Sequence, residues 1–558
     1  MLSYLVRFSL FLIFLSSSFF IHAQDAAVFM IRFTDKNNSL YTTADPSAFI
    51  SARAIDRRTK QNISIKTDDL PVNQAYIDSI AKTGVKILAT SKWLNAVAID
   101  TSGFPNAFTQ IITYPFVLNS TPVGIKPVKD NTGLKNKMAG LNKKKFGDIS
   151  ENPAELFSMQ YGGSLNQASM VGATCMHDQG YRGNGIVIAI IDAGFQNADV
   201  LKAFDSLRTN NQILGTRDFV DGGTSVYEDF SHGMMVLSTI GANLPGQLIG
   251  TAPKAEFWLL RSEQVSSEDL VEEFFWTCAA EFADSVGADV INSSLGYFGF
   301  DPPSQSHTYA DMTGKIALSS IAATTAAEKG MIVVVSAGNG GPGPIGSPAD
   351  ADSVLTVGAV SANRKLALFS SRGPSYDKRV KPDVAAQGQG TTLASTGGGV
   401  SNGNGTSFSS PIMAGAAACL WQANPTKTNM QIIDAIQKSA SQYENPDSLL
   451  GYGIPNMCKA DSILKGLKPV PGTDGLIFVN PNPFESNLHI SFYSSYGETL
   501  TIQLFDISGR KIAESTFTTI TKNKNDFFLN DLETVSPGMY ILSIKGYGAN
   551  YFKKLIKK

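Results

Sequence analysis

The chain reads as an α/β protein carrying a parallel sheet, with a small α+β module ahead of it and a strand-rich module behind. Three observations predict this. The segments Gly185 to Gly194 and Gly330 to Gly340 are apolar runs that turn polar only near their ends, as strands covered on both faces do, and Ala288 to Gly296 reads as a further strand running into a loop. Small-residue stretches over Met235 to Ala242 and Ile412 to Leu420 read as helices able to pack closely. Beyond residue 476 the pattern alternates, in Leu500 to Asp506 and Tyr540 to Ile544, with turns at Ser508-Gly509 and Pro537-Gly538, which predicts a small β-sandwich.

In chain order, Arg7 is followed by an uncharged run from Phe8 to Ile21 and then His22-Ala23 before Gln24, the pattern of a secretory signal peptide over 1–23. A membrane anchor fits less well, because the apolar core is short and no second long apolar segment follows. Residues 24–145 have a different texture: a strand-like Val28 to Phe33, an arginine-bearing helix around Ala52 to Arg58, and Trp93 to Ile99. The Lys-rich stretch Lys135 to Lys145 reads as an exposed linker suited to cleavage. Residues 155–466 hold the α/β domain, 467–475 a Pro/Gly linker, and 476–558 the sandwich.

Chemistry enters at Gly405-Thr406-Ser407-Phe408-Ser409-Ser410-Pro411, which sets Ser407 at the mouth of a tightly packed helix. A serine hydroxyl is a poor nucleophile at neutral pH and needs a base, itself oriented by a third group. Of the five histidines, His22 lies in the leader, His177 in a polar turn, His307 in a loop and His489 in the C-terminal module. His232 differs, standing in Asp229-Phe230-Ser231-His232-Gly233 directly before a small-residue helix. Asp192 ends the first apolar run, and sites in open α/β sheets gather beyond the carboxyl ends of strands.

The order Asp192, His232, Ser407, with the words around each, resembles the subtilisin-like serine proteases, the subtilases, over Gly162 to Lys465. The resemblance implies a doubly wound, mostly parallel sheet and catalysis by that triad. It makes Asn339, in Ser336-Ala337-Gly338-Asn339, the side-chain donor of an oxyanion hole, and Ser294, Leu295 and Gly296 a substrate-pairing edge. Tyr297, Phe298 and Phe300 follow that edge, and loop packing is expected of them ahead of a role as pocket walls. Departures from the family are mild, at Ala193, Met234 and Phe408, and none removes a reacting group. Subtilases commonly carry an inhibitory, folding-assisting propeptide, the role this implies for 24–145. The Asn-Pro-Asn-Pro segment at 480–483, Asp506 to Arg510, Pro537 to Tyr540 and the Lys-rich end resemble the C-terminal sorting domains of bacterial type IX secretion.

Composition is permissive: 558 residues imply several domains, and a net charge of −2 argues against a dominant nucleic-acid role. Cys175, Cys278, Cys419 and Cys458 allow three pairings, which stay open, although Cys278 and Cys419 sit in helix-like apolar surroundings. No cofactor is required for the chemistry and no metal ligand set is recognised. A structural calcium has no location, since Asp221, Glu228 and Asp229 lack a ligand register and read as solvent-exposed. The expectation is a secreted or surface endopeptidase, monomeric and with no transmembrane helix in its mature chain, leaving a Gram-negative cell through the periplasm. Its partners would be peptide or protein substrates and the type IX machinery. The rival reading is a catalytically silent adhesin or peptide-binding protein on the same fold.

Overall fold

The computed structural model describes residues 27–124, 160–228, 230–302, 304–466, 473–494, 499–519, 523–546 and 549–558. The leader, the Lys135 to Lys145 stretch, Asp229 and most of the 467–475 linker lie outside them.

The N-terminal module is an antiparallel sheet of β1 (Val28–Phe33), β2 (Lys86–Ser91), β3 (Ala96–Asp100) and β4 (Val117–Gly124), in the order β2-β3-β1-β4. The two-residue period of β1 divides its side chains between two cores. Phe29, Ile31 and Phe33 meet Val97, Ile99, Ile80 and Ile111 inside the module. Val28 and Met30 point the other way, into the cluster that contains Phe275 and Trp276 of the helix Val271–Val286. The module is therefore docked on the α/β domain by one whole face of its sheet.

That domain has β5 (Val187–Asp192), β6 (Ile213–Asp218), a short hairpin of β7 (Asn243–Leu244) and β8 (Leu248–Ile249), then β9 (Glu256–Arg261), β10 (Val290–Ser293), β11 (Ile332–Ser336), β12 (Leu355–Ser361), β13 (Val384–Ala394) and β14 (Val400–Asn404). Eight of these form one sheet in the order β14-β13-β12-β11-β10-β5-β9-β6, parallel throughout except for β14 at the edge. Strand alternation again feeds two cores. Ile188 and Ile190 of β5 face the helices His232–Gly241 and Thr406–Ala423, while Val187, Ala189 and Ile191 face Val271–Val286 and Leu318–Glu328. Helices cover both faces, so the doubly wound reading holds, and the strand order reverses beside β5, where such sheets place their sites.

The C-terminal module is two antiparallel sheets, β15-β16-β19 and β18-β17-β20-β21, sharing one core around Phe484, Ile490, Leu504 and Leu542. Its strands are β15 (Thr473–Asn480), β16 (Leu488–Ser494), β17 (Thr499–Asp506), β18 (Lys511–Thr518), β19 (Asn523–Leu529), β20 (Gly538–Gly546) and β21 (Ala549–Lys557). No helix among the described residues is long and apolar enough to cross a membrane.

Of the three cysteine pairings, the one present is Cys175–Cys458, which ties the helix Ala173–Asp178 to Met457–Leu464. Cys278 and Cys419 are free and buried. His177, expected in a polar turn, is instead buried in the helix before that turn, its Nδ1 2.7 Å from Tyr161 Oη and its Nε2 2.9 Å from the Thr251 carbonyl. The carbonyl can only accept, so Nε2 carries the proton and Nδ1 accepts from the tyrosine. Burial pushes this imidazole down to about 4 from 6.5. The unfolded chain takes up a proton near the ordinary value and the folded chain does not, so stability falls as pH drops from about 6.5 to about 4, by ~3 kcal/mol in all. The urea midpoint should decline across that window, and His177→Gln, weaker at pH 7, should decline less. Equal pH slopes in the two proteins would show that His177 does not carry the effect.

Candidate active site

Asp192 is the last residue of β5, and its place at the carboxyl end of a central strand explains its complete burial. Its Oδ1 lies 2.7 Å from His232 Nδ1 and also accepts from the Ala193 amide at 2.8 Å. His232 is the first residue of its helix, so the ring leaves the helix at its amino end. This approach depends on Gly233. A Cβ there would sit 2.6 Å from the Gly194 carbonyl oxygen and 2.9 Å from Asp192 Cβ, whereas the bare glycine lets its amide bond Gly194 O at 2.9 Å. The His-Gly pair is thus a packing requirement: only hydrogen at this position lets the helix abut the strand end.

Ser407 is the second residue of the buried helix Thr406–Ala423, and 5 % of it is exposed. The helix comes this close to the sheet because its inner positions are small; a Cβ on Gly415 would lie 2.2 Å from Thr251 Oγ1. The Phe408 ring is fully buried with its centroid 5.9 Å from that of His232, setting the serine's segment against the imidazole. The Ser407 hydroxyl donates to the Ser294 carbonyl at 3.3 Å and is not hydrogen-bonded to His232. Catalytic contacts of this kind are commonly loose before substrate arrives, and rotation about χ1 carries the oxygen between staggered positions.

Asn339 follows β11 on an exposed turn. Its Oδ1 accepts from both the amide and the hydroxyl of Thr406, at 2.9 and 3.0 Å. Since an amide N–H can only donate, these bonds fix which end of the carboxamide is oxygen, and Nδ2 is left free beside Gly405. The Ser407 N–H, in the first turn of its helix, has no intrahelical acceptor. Two free donors therefore flank the serine. The role of Thr406 is not legible in its residue type; its one sequence signal is its place in Gly405-Thr406-Ser407, immediately before the serine.

Ser294 sits just beyond β10 and donates through Oγ to the Ser407 carbonyl at 2.9 Å, while Asn292 of β10 accepts from Ser410 at 3.0 Å. These bonds tie the serine-bearing helix to the neighbouring strand. Among the described residues the Leu295 and Gly296 backbone groups have no partner, and Tyr297 resumes pairing through Ser347. A two-residue stretch of open strand edge thus borders Ser407. Tyr297 and Phe300 are packed inside, at 1 % and 9 % exposure, and the Tyr297 hydroxyl donates to Glu263, so neither is an open pocket wall; Phe298 is half-buried.

Asp221 is exposed and pairs with Arg261 at 2.9 Å, and Glu228, also exposed, accepts from Ser225. The one grouping of carboxylates among the described residues close enough to share a cation is Glu263, Glu268 and Glu272, after β9. Glu263 there accepts from Tyr297, and Glu272 from the Gln264 and Asp269 amides.

Comparison with known proteins gives three family matches along the chain. Residues 183–453 match the Subtilase family, 28–139 a peptidase S8 propeptide domain of Bacteroidota, and 478–558 a secretion system C-terminal sorting domain. Subtilisin E of Bacillus subtilis is 32 % identical over 296 residues, covering 52 % of this chain and 69 % of that protein. The subtilisin of Bacillus pumilus is 32 % identical over 296 residues and Subtilisin Savinase of Lederbergia lenta 32 % over 291, each covering 52 % of this chain and 95 % of the relative. The chain belongs to the subtilase family of serine peptidases, with a propeptide domain before its peptidase domain and a type IX sorting domain after it.

Proposed function

We propose that this protein is a secreted endopeptidase whose nucleophile is Ser407, whose base is His232 and whose orienting carboxylate is Asp192. The observation that carries this reading is the buried 2.7 Å bond between Asp192 Oδ1 and His232 Nδ1, beside a serine flanked by two free N–H donors. Because Nδ1 donates to the carboxylate, Nε2 is the basic nitrogen. Substrate backbone pairs with the open edge at Ser294, Leu295 and Gly296 and brings its carbonyl to the serine.

The Ser407 hydroxyl then leaves the Ser294 carbonyl, gives its proton to His232 Nε2, and its oxygen bonds the scissile carbon. The electron pair of the carbonyl moves to oxygen, where Asn339 Nδ2–H and the Ser407 N–H stabilise the charge. Collapse of this intermediate breaks the C–N bond, and His232 returns the proton to the departing amine. Water repeats the sequence on the acyl-enzyme, releasing the acid and the serine hydroxyl, while Asp192 stays ionised and stabilises the imidazolium.

In the same reading the precursor divides at 1–23 (leader), 24–145 (inhibitory propeptide), 155–466 (catalytic), 467–475 (linker) and 476–558 (sorting), and the mature enzyme is a monomer that crosses a Gram-negative periplasm. Catalysis and export should be separable. Purified enzyme lacking 476–558 should cut peptides of a mixed library at internal bonds, and in its native cell the truncated product should accumulate in the periplasm. Removal of single terminal residues would make it an exopeptidase, no cleavage at all would favour the adhesin reading, and normal secretion of the truncated chain would sink the sorting role.

A further inference from the structure

The helix Ala52–Lys60 of the propeptide domain reaches the end of the sheet opposite the active site. Arg53 pairs with Asp289 and donates to the carbonyls of Gly185, at 2.6 Å, and Gly287, at 2.9 Å. Arg57 donates to Asp284 Oδ1 at 2.5 Å, to the Ala288 carbonyl, and to the Lys329 carbonyl at 3.3 Å. Arg58 donates to the other oxygen of Asp284 at 2.6 Å and also pairs with Asp69 of its own module at 2.8 Å. Arg57, Arg58 and Asp284 are 4 %, 1 % and 0 % exposed, so these are desolvated pairs and not a solvated charge run.

The acceptors share one address. Gly185 precedes β5, Ala288 and Asp289 precede β10, and Lys329 precedes β11, whereas Asp192, Ser294 and Asn339 stand at the other ends of the same three strands. Strands of this length separate the two faces by about 15–20 Å at ~3.3 Å per residue. Asp284 also lies in the last turn of the helix Val271–Val286, where unpaired carbonyls add partial negative charge. A planar guanidinium with five fixed donors engages such a set of carboxylate and carbonyl oxygens at several points at once, whereas the Lys92 ammonium meets it only as a point charge 3.6 Å from Asp284. The site is also shaped for the helix it holds: a Cβ on Gly287 would lie 2.7 Å from Arg53 Cβ.

We propose that this face is a guanidinium-binding site of the catalytic domain, separate from the cleft, and that its grip on Arg53, Arg57 and Arg58 keeps the propeptide domain attached after the joining chain is cut. The proposal rests on the reading that residues 24–145 are cut from the enzyme, so its test makes the cut independent of the enzyme's own activity.

The full chain carrying Ser407→Ala and a foreign protease site within residues 135–145 is folded intact, cut with the added protease, and followed by gel filtration. The N-terminal fragment should co-elute with the remainder. Arg57→Gln with Arg58→Gln should speed its departure by roughly 10²-fold or more, the size expected when buried charge pairs lose one partner. The cut protein with its arginines intact supplies a second arm that needs no further folding: L-arginine amide should hasten release, and lysine amide at equal ionic strength should not. Unchanged release in both arms overturns the proposal. A retained fragment that does not inhibit active enzyme would remove the inhibitory role and leave the docking site standing.

Discussion

Ser407→Ala and His232→Ala should each lower kcat for peptide substrates by about 10⁶-fold, a size carried over from subtilisin, and the double variant should be no worse than either single one. The argument is geometric. His232 is held at Nδ1 by a buried carboxylate, which leaves one nitrogen for the serine proton. Removing either partner breaks the same proton transfer, so the losses overlap instead of adding. Ser407→Ala should fold, since it deletes only a hydroxyl whose contact is a 3.3 Å bond to Ser294, whereas His232→Ala leaves the buried Asp192 without its partner and its fold is checked by circular dichroism beside the kinetics. Losses that multiplied in the double variant would mean that the two residues act at different steps.

The second large effect is at Asn339. Asn339→Ala should reduce kcat by roughly 10²–10³ while KM changes little, a magnitude taken over from subtilisin's own asparagine and not calculated from this geometry. Its amide nitrogen is free while its oxygen is pinned by Thr406, so the donor is set in place before charge develops on the substrate. Such an interaction acts in the transition state and weakly in the ground state, which is why turnover and not binding should fall. A collapse in affinity with turnover preserved would make Asn339 a substrate contact and remove it from the oxyanion hole.

Much of this architecture is legible in the sequence because it is local. Unbroken apolar runs identify β5 and β11, and each ends in a polar residue that lies at the sheet's carboxyl edge; β10, with only Val290-Ile291 between Asp289 and Asn292, is a weaker strand signal. The antiparallel edge strand β14 escapes such reading, since Val400-Ser401-Asn402-Gly403-Asn404 has neither an apolar run nor clean alternation. What depends on pairs distant in the chain is not legible either. Arg57 meets Asp284 across 227 residues, and nothing near Arg57 announces a buried carboxylate. His177 is misread for the same reason, because its neighbours in sequence are polar while its neighbours in space are Tyr161 and Thr251. Gly233 shows the intermediate case: its presence is visible, but the need for it appears only when the strand end and helix start are seen to lie a carbon's width apart.

The most direct measurement is the site of covalent modification by a fluorophosphonate, which reacts only with a serine that has been activated by its surroundings. Peptide mapping of the labelled mature enzyme should find a single adduct, on Ser407, formed at a rate that His232→Ala abolishes. An adduct on any other residue, or full peptidase activity with Ser407 replaced by alanine, would contradict the assignment of the nucleophile and with it the mechanism.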